Sequence, residues 1–457
     1  MKKLRLNFAL IPTVLLLAGP TMLEQLMQTA VQYIDTAMVG SLGTSATAAV
    51  GSTTTINWLI NGTVSALSIG FLSLIAKALG ALDEKRARRV SAQTVWAVLV
   101  SGLFFTVLTL SLAKYVPVWM RIDEGLREMA ATYFFILYMP MLPRAATIIF
   151  GTVLRAAGDT KTPMYIGIFV NLTNIILNFV LIYETRTVTV FERSFTLYGA
   201  GLGVIGAAVA SAVAFTLGGL LITVFFLRHK VISPLGESFA PDTGILRPAM
   251  KIAFPNMLQR FGTSLGYVFF ASMINSLGEI STAAHTIANT VESLFYIPAY
   301  GMQTAAATLA GNALGARDRQ KMQDYTGIII LIEVILNVVS GGLLFIFAPA
   351  MMGIFNKEAA VITLGATVLR MVAVSEPFYG ICIALEGMLQ GVGNTKRPFV
   401  FNVIGMWGIR IVGTWLCITF FGGTLVSAWG CMILHNLVLF TMFLTYCTKK
   451  KNNPLYG

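Results

Sequence analysis

Apolar runs long enough to cross a bilayer recur along this chain, and they leave few folds open. Residues 91–113 and 326–348 are two of them. A membrane helix needs about 20 such residues. In lipid every backbone N–H and C=O must be paired within the chain, so only helices or a closed barrel can span it. Barrel strands read as short alternating segments, whereas continuous runs read as helices. Composition agrees: of 457 residues 56% are hydrophobic and only 11% charged, with mean hydropathy +0.76, against about 25% charged in a soluble domain. The chain therefore reads as an all-α integral membrane protein.

Twelve segments satisfy the length requirement: 10–40, 46–79, 90–114, 127–156, 161–183, 202–228, 246–277, 281–314, 324–348, 358–391, 397–421 and 424–447. Pro20, Pro143, Pro255, Pro298 and Pro377 are the candidate kinks, since proline removes an intrahelical hydrogen bond. The start imitates a secretory signal, with Lys2, Lys3 and Arg5 before an apolar stretch. No small-residue cleavage site follows, so the stretch reads as the first span.

Charge distribution sets the topology. The net charge of +12 could suggest nucleic acid, but the basic residues cluster between apolar runs and form no basic face. Of 32 basic residues, 22 fall in loops on one side. Six fall on the other: Lys114, Arg121, Arg127, Arg186, Arg193 and Lys357. The excess predicts that both termini are cytoplasmic. Arg144, Arg260, Arg370 and Arg410 remain deep in the spans.

The chain also repeats itself at one constant offset. Ala78-Leu79-Gly80-Ala81-x-Asp83 matches Ala313-Leu314-Gly315-Ala316-x-Asp318. At the same offset, Leu154-x-x-x-Gly158-x-Thr160-Lys161-x-Pro163 matches Leu389-x-x-x-Gly393-x-Thr395-Lys396-x-Pro398. Six spans per repeat is an even number, so the two repeats are parallel about an axis along the membrane normal. The expected organisation is an N-lobe at 1–228, a cytoplasmic linker at 229–245, a C-lobe at 246–448 and a cytoplasmic tail at 449–457. A central cleft between such lobes is the geometry of alternating access. No filter-like motif suggests a channel.

Ionisable residues at membrane depth are costly and face the bundle interior or a wet cavity. Asp35 lies in the outer half of the first span, after Gln28, Gln32 and Tyr33. A carboxylate removed from water favours its neutral form, so such a group can take up and release protons; the bland reading is a carboxylate at a helix end facing water. Asn171, Asn174 and Asn178 share one face of the fifth span, positioned to bond Asp35, to line the cavity, or to serve as interhelical packing. Symmetry suggests that Glu24 and Arg260 approach as an inter-lobe pair. Glu292, Glu376 and Glu386 supply acidity in the second half, and Glu376 precedes Pro377 at a break that frees carbonyls. Glu386 reads as meeting water, and Arg370 and Arg410 are expected to pair with these glutamates. Tyr138, Phe150, Tyr267, Phe295, Tyr296 and Tyr379 are candidates for stacking on flat or cationic ligands.

Enzyme chemistry finds no support. There is no Walker loop. Gly199-x-Gly201-x-Gly203 is placed at an apolar helix start and dismissed as a nucleotide motif. His229, His285 and His435 are isolated, and Cys382, Cys417, Cys431 and Cys447 lack metal spacing. No catalytic residue, metal or cofactor is expected.

Tyr33-Ile34-Asp35-Thr36-Ala37-Met38-Val39-Gly40-x-Leu42-Gly43 resembles the first-helix signature of the multidrug and toxic compound extrusion (MATE) family. Leu154-Arg155-Ala156-Ala157-Gly158-Asp159-Thr160-Lys161-Thr162-Pro163 resembles its cytoplasmic loop after the fourth helix, and Gly301-x-x-x-Ala305-x-x-x-Leu309-x-Gly311-x-x-Leu314-Gly315-Ala316 the end of its eighth. The resemblance covers the whole chain and looks closer to the DinF-type branch. It implies export of small organic, often cationic, compounds, driven by inward H+ or Na+, by a protein functional as a monomer in the bilayer. It implies that Asp35 is an ion-coupling residue; Asn174 and Asn178, from their helix face, and Glu376, from its position at the break, are the further ion-coupling candidates. The family commonly carries an aspartate at the position of Asn178, and its absence favours protons. The alternative is a flippase for lipid-linked oligosaccharide, which would want a strongly cationic cavity; a membrane-embedded enzyme is a more distant reading.

Overall fold

The structure is a computed structural model, and it describes residues 6–120, 122–190 and 193–449. Lys2, Lys3, Arg5, Arg121, Lys450 and Lys451 of the charge pattern lie outside the described residues, as do the side chains of Arg186 and Arg193.

The first half contains α1 (Ile11–Gly40), α2 (Thr44–Gly80), α3 (Glu84–Leu112), the short α4 (Val116–Trp119), α5 (Arg127–Tyr138), α6 (Met141–Ala156) and α7 (Lys161–Leu181). A hairpin follows, β1 (Glu184–Val190) paired antiparallel with β2 (Arg193–Ala200), and then α8 (Gly203–Leu227). The second half contains α9 (Thr243–Asn275), α10 (Glu279–Gly315), α11 (Arg319–Phe355), α12 (Ala359–Ala373) and α13 (Glu376–Gly391). α14 (Lys396–Val403), a π-helical stretch at Ile404–Ile411, α15 (Val412–Phe421) and α16 (Leu425–Thr448) complete it.

The repeat register holds at the level of backbone conformation. α10 begins and ends at the positions to which the offset carries the bounds of α2, and α13 does the same for α6. The left-handed residues repeat as well: Gly43 (φ 114°) with Gly278 (98°), Leu82 (58°) with Arg317 (54°), and Gly158 (86°) with Gly393 (76°). The register fails at the last helix. α16 starts at Leu425, well before Val438, the position to which the offset carries the Gly203 start of α8. The first half spends the extra residues on the β1–β2 hairpin, whereas the second turns tightly at the left-handed Gly422 (φ 60°). The glycine motif at 199–203 belongs to this corner: Gly199 lies in β2 and only Gly203 opens α8, so it is not wholly a helix start.

By length and composition eight helices among the described residues qualify as spans, and two bent pairs raise the number to 10. α5 with the 3-10 turn before it (Glu124–Leu126) bends by 48° against α6, and α12 by 54° against α13. α9 and α10 are as long as their counterparts α1 and α2 but more polar, carrying Arg260, His285 and Glu292. They run between the halves, so protein rather than lipid covers their polar positions: α1 packs on α10 and α2 on α9. With them the architecture is two six-span repeats.

The lipid-facing surface is explicit on α3. Val100, Leu103, Phe104 and Val107, at helical spacing i, i+3, i+4 and i+7, are all more than half exposed. Ala97, Val98, Ser101 and Gly102 on the opposite face are buried. An exposed apolar stripe of this kind is stable only against hydrocarbon.

Of the candidate kinks, Pro143 and Pro377 lie just after the 48° and 54° bends. Pro20, Pro255 and Pro298 sit inside continuous helices. The break in the fourth span falls at Met139–Pro140, ahead of Pro143, which lies in the first turn of α6. Pro377 is at the start of α13, where a missing N–H costs nothing.

The two halves meet closely at the face that carries the basic loops. A Cβ at Gly80 would fall on the carbonyl oxygen of Asn312, and one at Gly315 on that of Lys77. Each pair is the other displaced by the repeat offset, so α2 and α10 cross reciprocally. The ends of α6 and α13 are capped across the same interface. Ser73 Oγ donates to Gly391 O (2.7 Å) and Lys77 Nζ to Val392 O (2.9 Å). Thr308 Oγ1, the counterpart of Ser73, donates to Arg155 O (3.3 Å). These bonds satisfy carbonyls that a helix end otherwise orphans.

The stretch between the halves is strapped to α3. Arg88 donates to the carbonyls of Lys230 and Val231, Gln93 to that of Ala240, and Trp96 to that of Phe239, at 2.6–3.0 Å. Asp242 then caps α9, accepting from Gly244 N at 2.8 Å.

Candidate functional site

In the first half, α1 and α7 bring Asp35 to the asparagine face. Asn178 Nδ2 donates to Asp35 Oδ1 at 2.7 Å. With the Asn174 amide turned toward the carboxylate, its Nδ2 reaches both Asp35 oxygens (2.8 and 3.0 Å) and its Oδ1 accepts from Ser211 Oγ of α8 (3.0 Å). Asn174 and Asn178 are buried, and Asp35 is half-buried. The carboxylate is thus clasped by amide donors. Asn171, on the same face, is half-buried and makes no hydrogen bond among the described residues. Gln28 and Gln32 are exposed. Tyr33 reaches the other half, donating to Thr290 O of α10 at 3.2 Å.

A buried cation lies deeper in the same half. Arg144 of α6 donates to Asn57 Oδ1 of α2, which also accepts from Tyr138 (3.3 Å) and Asn61 (3.3 Å). Its guanidinium lies 4.4 Å from the Phe215 ring centroid and 5.7 Å from that of Tyr138. Tyr138 is fully buried in the first-half core, so it supports Arg144 rather than presenting a free ring. Phe150 is stacked on Phe226 at 4.2 Å and is equally occupied.

The expected Glu24–Arg260 pair does not form. Glu24 instead binds Arg155, whose Nη2 lies 2.7 and 2.6 Å from the two carboxylate oxygens. The symmetry argument failed because the last turn of α6 supplies a nearer cation. Arg260 lies 5.5 Å from the ring centroid of Tyr300. Tyr300 meets Tyr296 (6.0 Å between centroids), and Tyr296 meets Tyr379 (5.9 Å). Cation–π contact replaces the ion pair.

The glutamates of the second half differ sharply in their surroundings. Glu386 accepts from Gln259 (2.9 Å), Gln390 (3.0 Å) and Asn402 (3.1 Å). It is buried and bound, not water-facing as expected. Glu376, at the α12–α13 break, is 1% exposed and neither carboxylate oxygen has a hydrogen-bond partner among the described residues. Glu292 is also buried, within electrostatic reach of Glu376. Arg370 is exposed and donates to Phe345 O at 3.3 Å. Arg410 stacks on Phe270 (4.1 Å) and Tyr267 (4.8 Å). Neither forms the ion pair with a glutamate that was expected. Aromatic quadrupoles hold these cations at less desolvation cost than a buried carboxylate.

Several site residues were not singled out from the sequence. Glu333 of α11 is fully buried, with Oε2 accepting from Asn337 (2.7 Å) and Oε1 unpartnered among the described residues. The i, i+4 spacing of Glu333 and Asn337 inside an apolar run was a legible signal. Asn57, Arg155 and Ser211 carried none that marks them out, because their partners are far away in sequence. His285 accepts from Trp429 Nε1 (3.2 Å), a packing role.

Known proteins share this fold. A solved MOP superfamily transporter from Pyrococcus furiosus, described as having a binding pocket of reversed polarity that suggests a different function, superposes with TM-score 0.86 at 23% identity, over 94% of each chain. An outward-facing MATE family transporter of the same superfamily gives 0.86 at 22%, again over 94% of each. At these identities the likeness is one of fold. A probable multidrug resistance protein NorM of Thermotoga maritima is 26% identical over 94% of this chain and 90% of its own length. Human multidrug and toxin extrusion protein 1 is 25% identical over 95% of this chain and 73% of its own. A family model, MatE, matches residues 20–180 and again 255–416. The two matches start at the same offset that relates the helix bounds, and on that double match the chain belongs to the MatE family of multi-pass membrane transporters.

Proposed function

We propose that this protein is a secondary-active efflux transporter that exports small organic, often cationic, compounds in exchange for H+ or Na+ by alternating access between its two halves. The observation that carries the reading is the Asp35 clasp. A carboxylate at half-burial in the membrane, held by Asn174 and Asn178, is a group whose charge changes when it binds a cation or proton. An ion that binds the two states of the transporter unequally couples its gradient to the cargo. The amide at 178, where the family commonly has a carboxylate, favours the proton. Glu376, buried without a hydrogen-bond partner among the described residues, is the corresponding group of the second half. Tyr296 and Tyr379 border it and suit flat or cationic cargo. On this reading the basic loop face is cytoplasmic, both termini lie there, the membrane is the bacterial inner membrane and the unit is a monomer. The DinF-type branch is supported by Asp35 standing together with an altered acidic pattern in the second half.

The flippase alternative draws on Arg144, Arg260 and Arg410, which are held by rings and amides and form no salt bridge among the described residues. Purified protein in liposomes separates the two. Efflux of an ethidium-like dye on imposing a pH or Na+ gradient, lost in Asp35→Asn with folding retained, supports export. Movement of a lipid-linked saccharide without any gradient, indifferent to Asp35→Asn, overturns it.

A further inference from the structure

The reciprocal crossing of α2 and α10 leaves a cavity on each side of it. The two are nearly equal in size, 240 and 230 Å³. They are also built from equivalent positions. Lys77, Ala81, Arg86, Leu314, Gly315 and Arg317 line the first. The repeat offset carries these to Asn312, Ala316, Lys321, Leu79, Gly80 and Leu82, all of which line the second. The scaffold therefore makes the same pocket twice, and the sequence fills it differently.

The difference is charge. The first pocket gathers Lys77, Arg86 and Arg317, and the corresponding positions of the second hold Asn312, Lys321 and Leu82. Asp83 also lines the first; its carboxylate caps α3, accepting from Arg86 N at 2.9 Å, and it offsets one of the three positive charges. Neither Arg86 nor Arg317 enters an ion pair among the described residues. Lys77 spends one of its three protons on Val392 O. Three cations that repel one another have been drawn together where the twin pocket shows that the fold does not require them. Leu82, at the position of Arg317, is 90% exposed, so the position imposes no packing demand of its own.

We propose that this pocket is a phosphate-binding site, taking the phosphate of an anionic lipid headgroup or of a soluble phosphate compound. A dianionic or monoanionic phosphate offers oxygens to all three donors at once, and guanidinium forks suit that geometry. The donors come from both halves: Lys77 and Arg86 from the first, Arg317 from the second. Bound phosphate therefore ties the halves together at the crossing where Gly315 lies on the Lys77 carbonyl, and holds this face shut. The site lies apart from Asp35 and Glu376 and does not depend on the transport reading.

The test is a binding measurement on the full chain in detergent, with two probes. One arm titrates inorganic phosphate by calorimetry; the other titrates phosphatidylglycerol and counts bound lipid by native mass spectrometry. Saturable binding that Arg317→Leu, the residue of the twin pocket, weakens roughly tenfold supports the site, that being about the value of one charge-assisted bond. Lys357→Gln, which removes a charge from a loop at the opposite end of α11, leaves affinity unchanged. Leu82→Arg combined with Asn312→Lys creates a second equivalent of binding in the twin pocket. Binding in the lipid arm alone identifies a headgroup as the source, and binding in both identifies the phosphate group itself. The proposal fails if neither probe saturates, or if binding survives Arg317→Leu and Lys77→Gln undiminished while both variants elute as folded protein.

Discussion

Arg155 reaches both carboxylate oxygens of Glu24, at 2.7 and 2.6 Å, and so fastens the last turn of α6 to the middle of α1. The carbonyl of Arg155 accepts from Thr308 of α10, which brings the second half into the same joint. With side chains only 15% and 19% exposed, the pair is largely out of water. Removing one member leaves the other uncompensated, a loss of about 3 kcal/mol for a pair of this kind. Glu24→Gln and Arg155→Gln are each expected to lower the melting midpoint in detergent, and the double variant to recover part of the loss. Additive losses in the double-mutant cycle would show that the two do not act as a pair.

Asn178 stands 2.7 Å from Asp35. Asn178→Asp would set two carboxylates beside the Asn174 amide, giving hard oxygen ligands of the kind that alkali and alkaline-earth cations prefer. Dye efflux by this variant is expected to depend on Na+ more strongly than that of the parent. Liposomes with matched Na+ and choline gradients read the difference; equal rates in both would count against the role given to the amide.

The second-half glutamates separate stability from function. Glu386 accepts three amide hydrogen bonds, so Glu386→Met should destabilise by about 1–3 kcal/mol through the donors left unpaired. Glu376 accepts none among the described residues. Glu376→Gln should leave the melting midpoint unchanged or raise it, while efflux falls at least tenfold. A stable site residue that can be neutralised without structural loss is the signature of a group retained for function.

Gly315 and Gly80 permit the α2–α10 crossing because a Cβ at either would strike a backbone carbonyl. Gly315→Ala is expected to push the halves apart on the basic face, at an overpacking cost of about 1–3 kcal/mol. In a background lacking the four native cysteines, Ser73→Cys is buried at this interface and should react slowly with a maleimide. Adding Gly315→Ala should speed the reaction. Gly342→Ala, with open space around its Cβ, is the control and should not.

The helices were legible because hydrophobic run length is a local property, and the repeat because a gap-free offset survives at helix ends such as 78–83 and 313–318. The positions of Asp35 and the asparagine face were legible too, through helical spacing on α7. What escaped was the choice of partner. Arg155 reads as one more basic loop residue until α6 brings it beside Glu24. Arg260 and Arg410 looked as though they needed carboxylates, but the rings of Tyr300, Phe270 and Tyr267, distant in sequence, take that role. The β1–β2 hairpin escaped because its short alternating segment sits between two strong apolar runs. Glu333 and Asn337 gave a usable signal that the strength of the surrounding run concealed.

The strap of residues 230–240 along α3 has a consequence for how far the halves can part. A slack leash would let each swing independently and would set only an outer limit to the opening. Here the carbonyls of Lys230, Val231, Phe239 and Ala240 are all taken by α3 side chains, and Asp242 is already the cap of α9. The leash has been reeled in and belongs to the first half. Asp242 N also donates to Gln93 Oε1 of α3 at 2.9 Å, so any swing of α9 away from α3 must break that bond or be absorbed at Asp242–Thr243; the joint behaves as a short pivot, and lengthening it should loosen the coordination of the two halves more than it enlarges their reach.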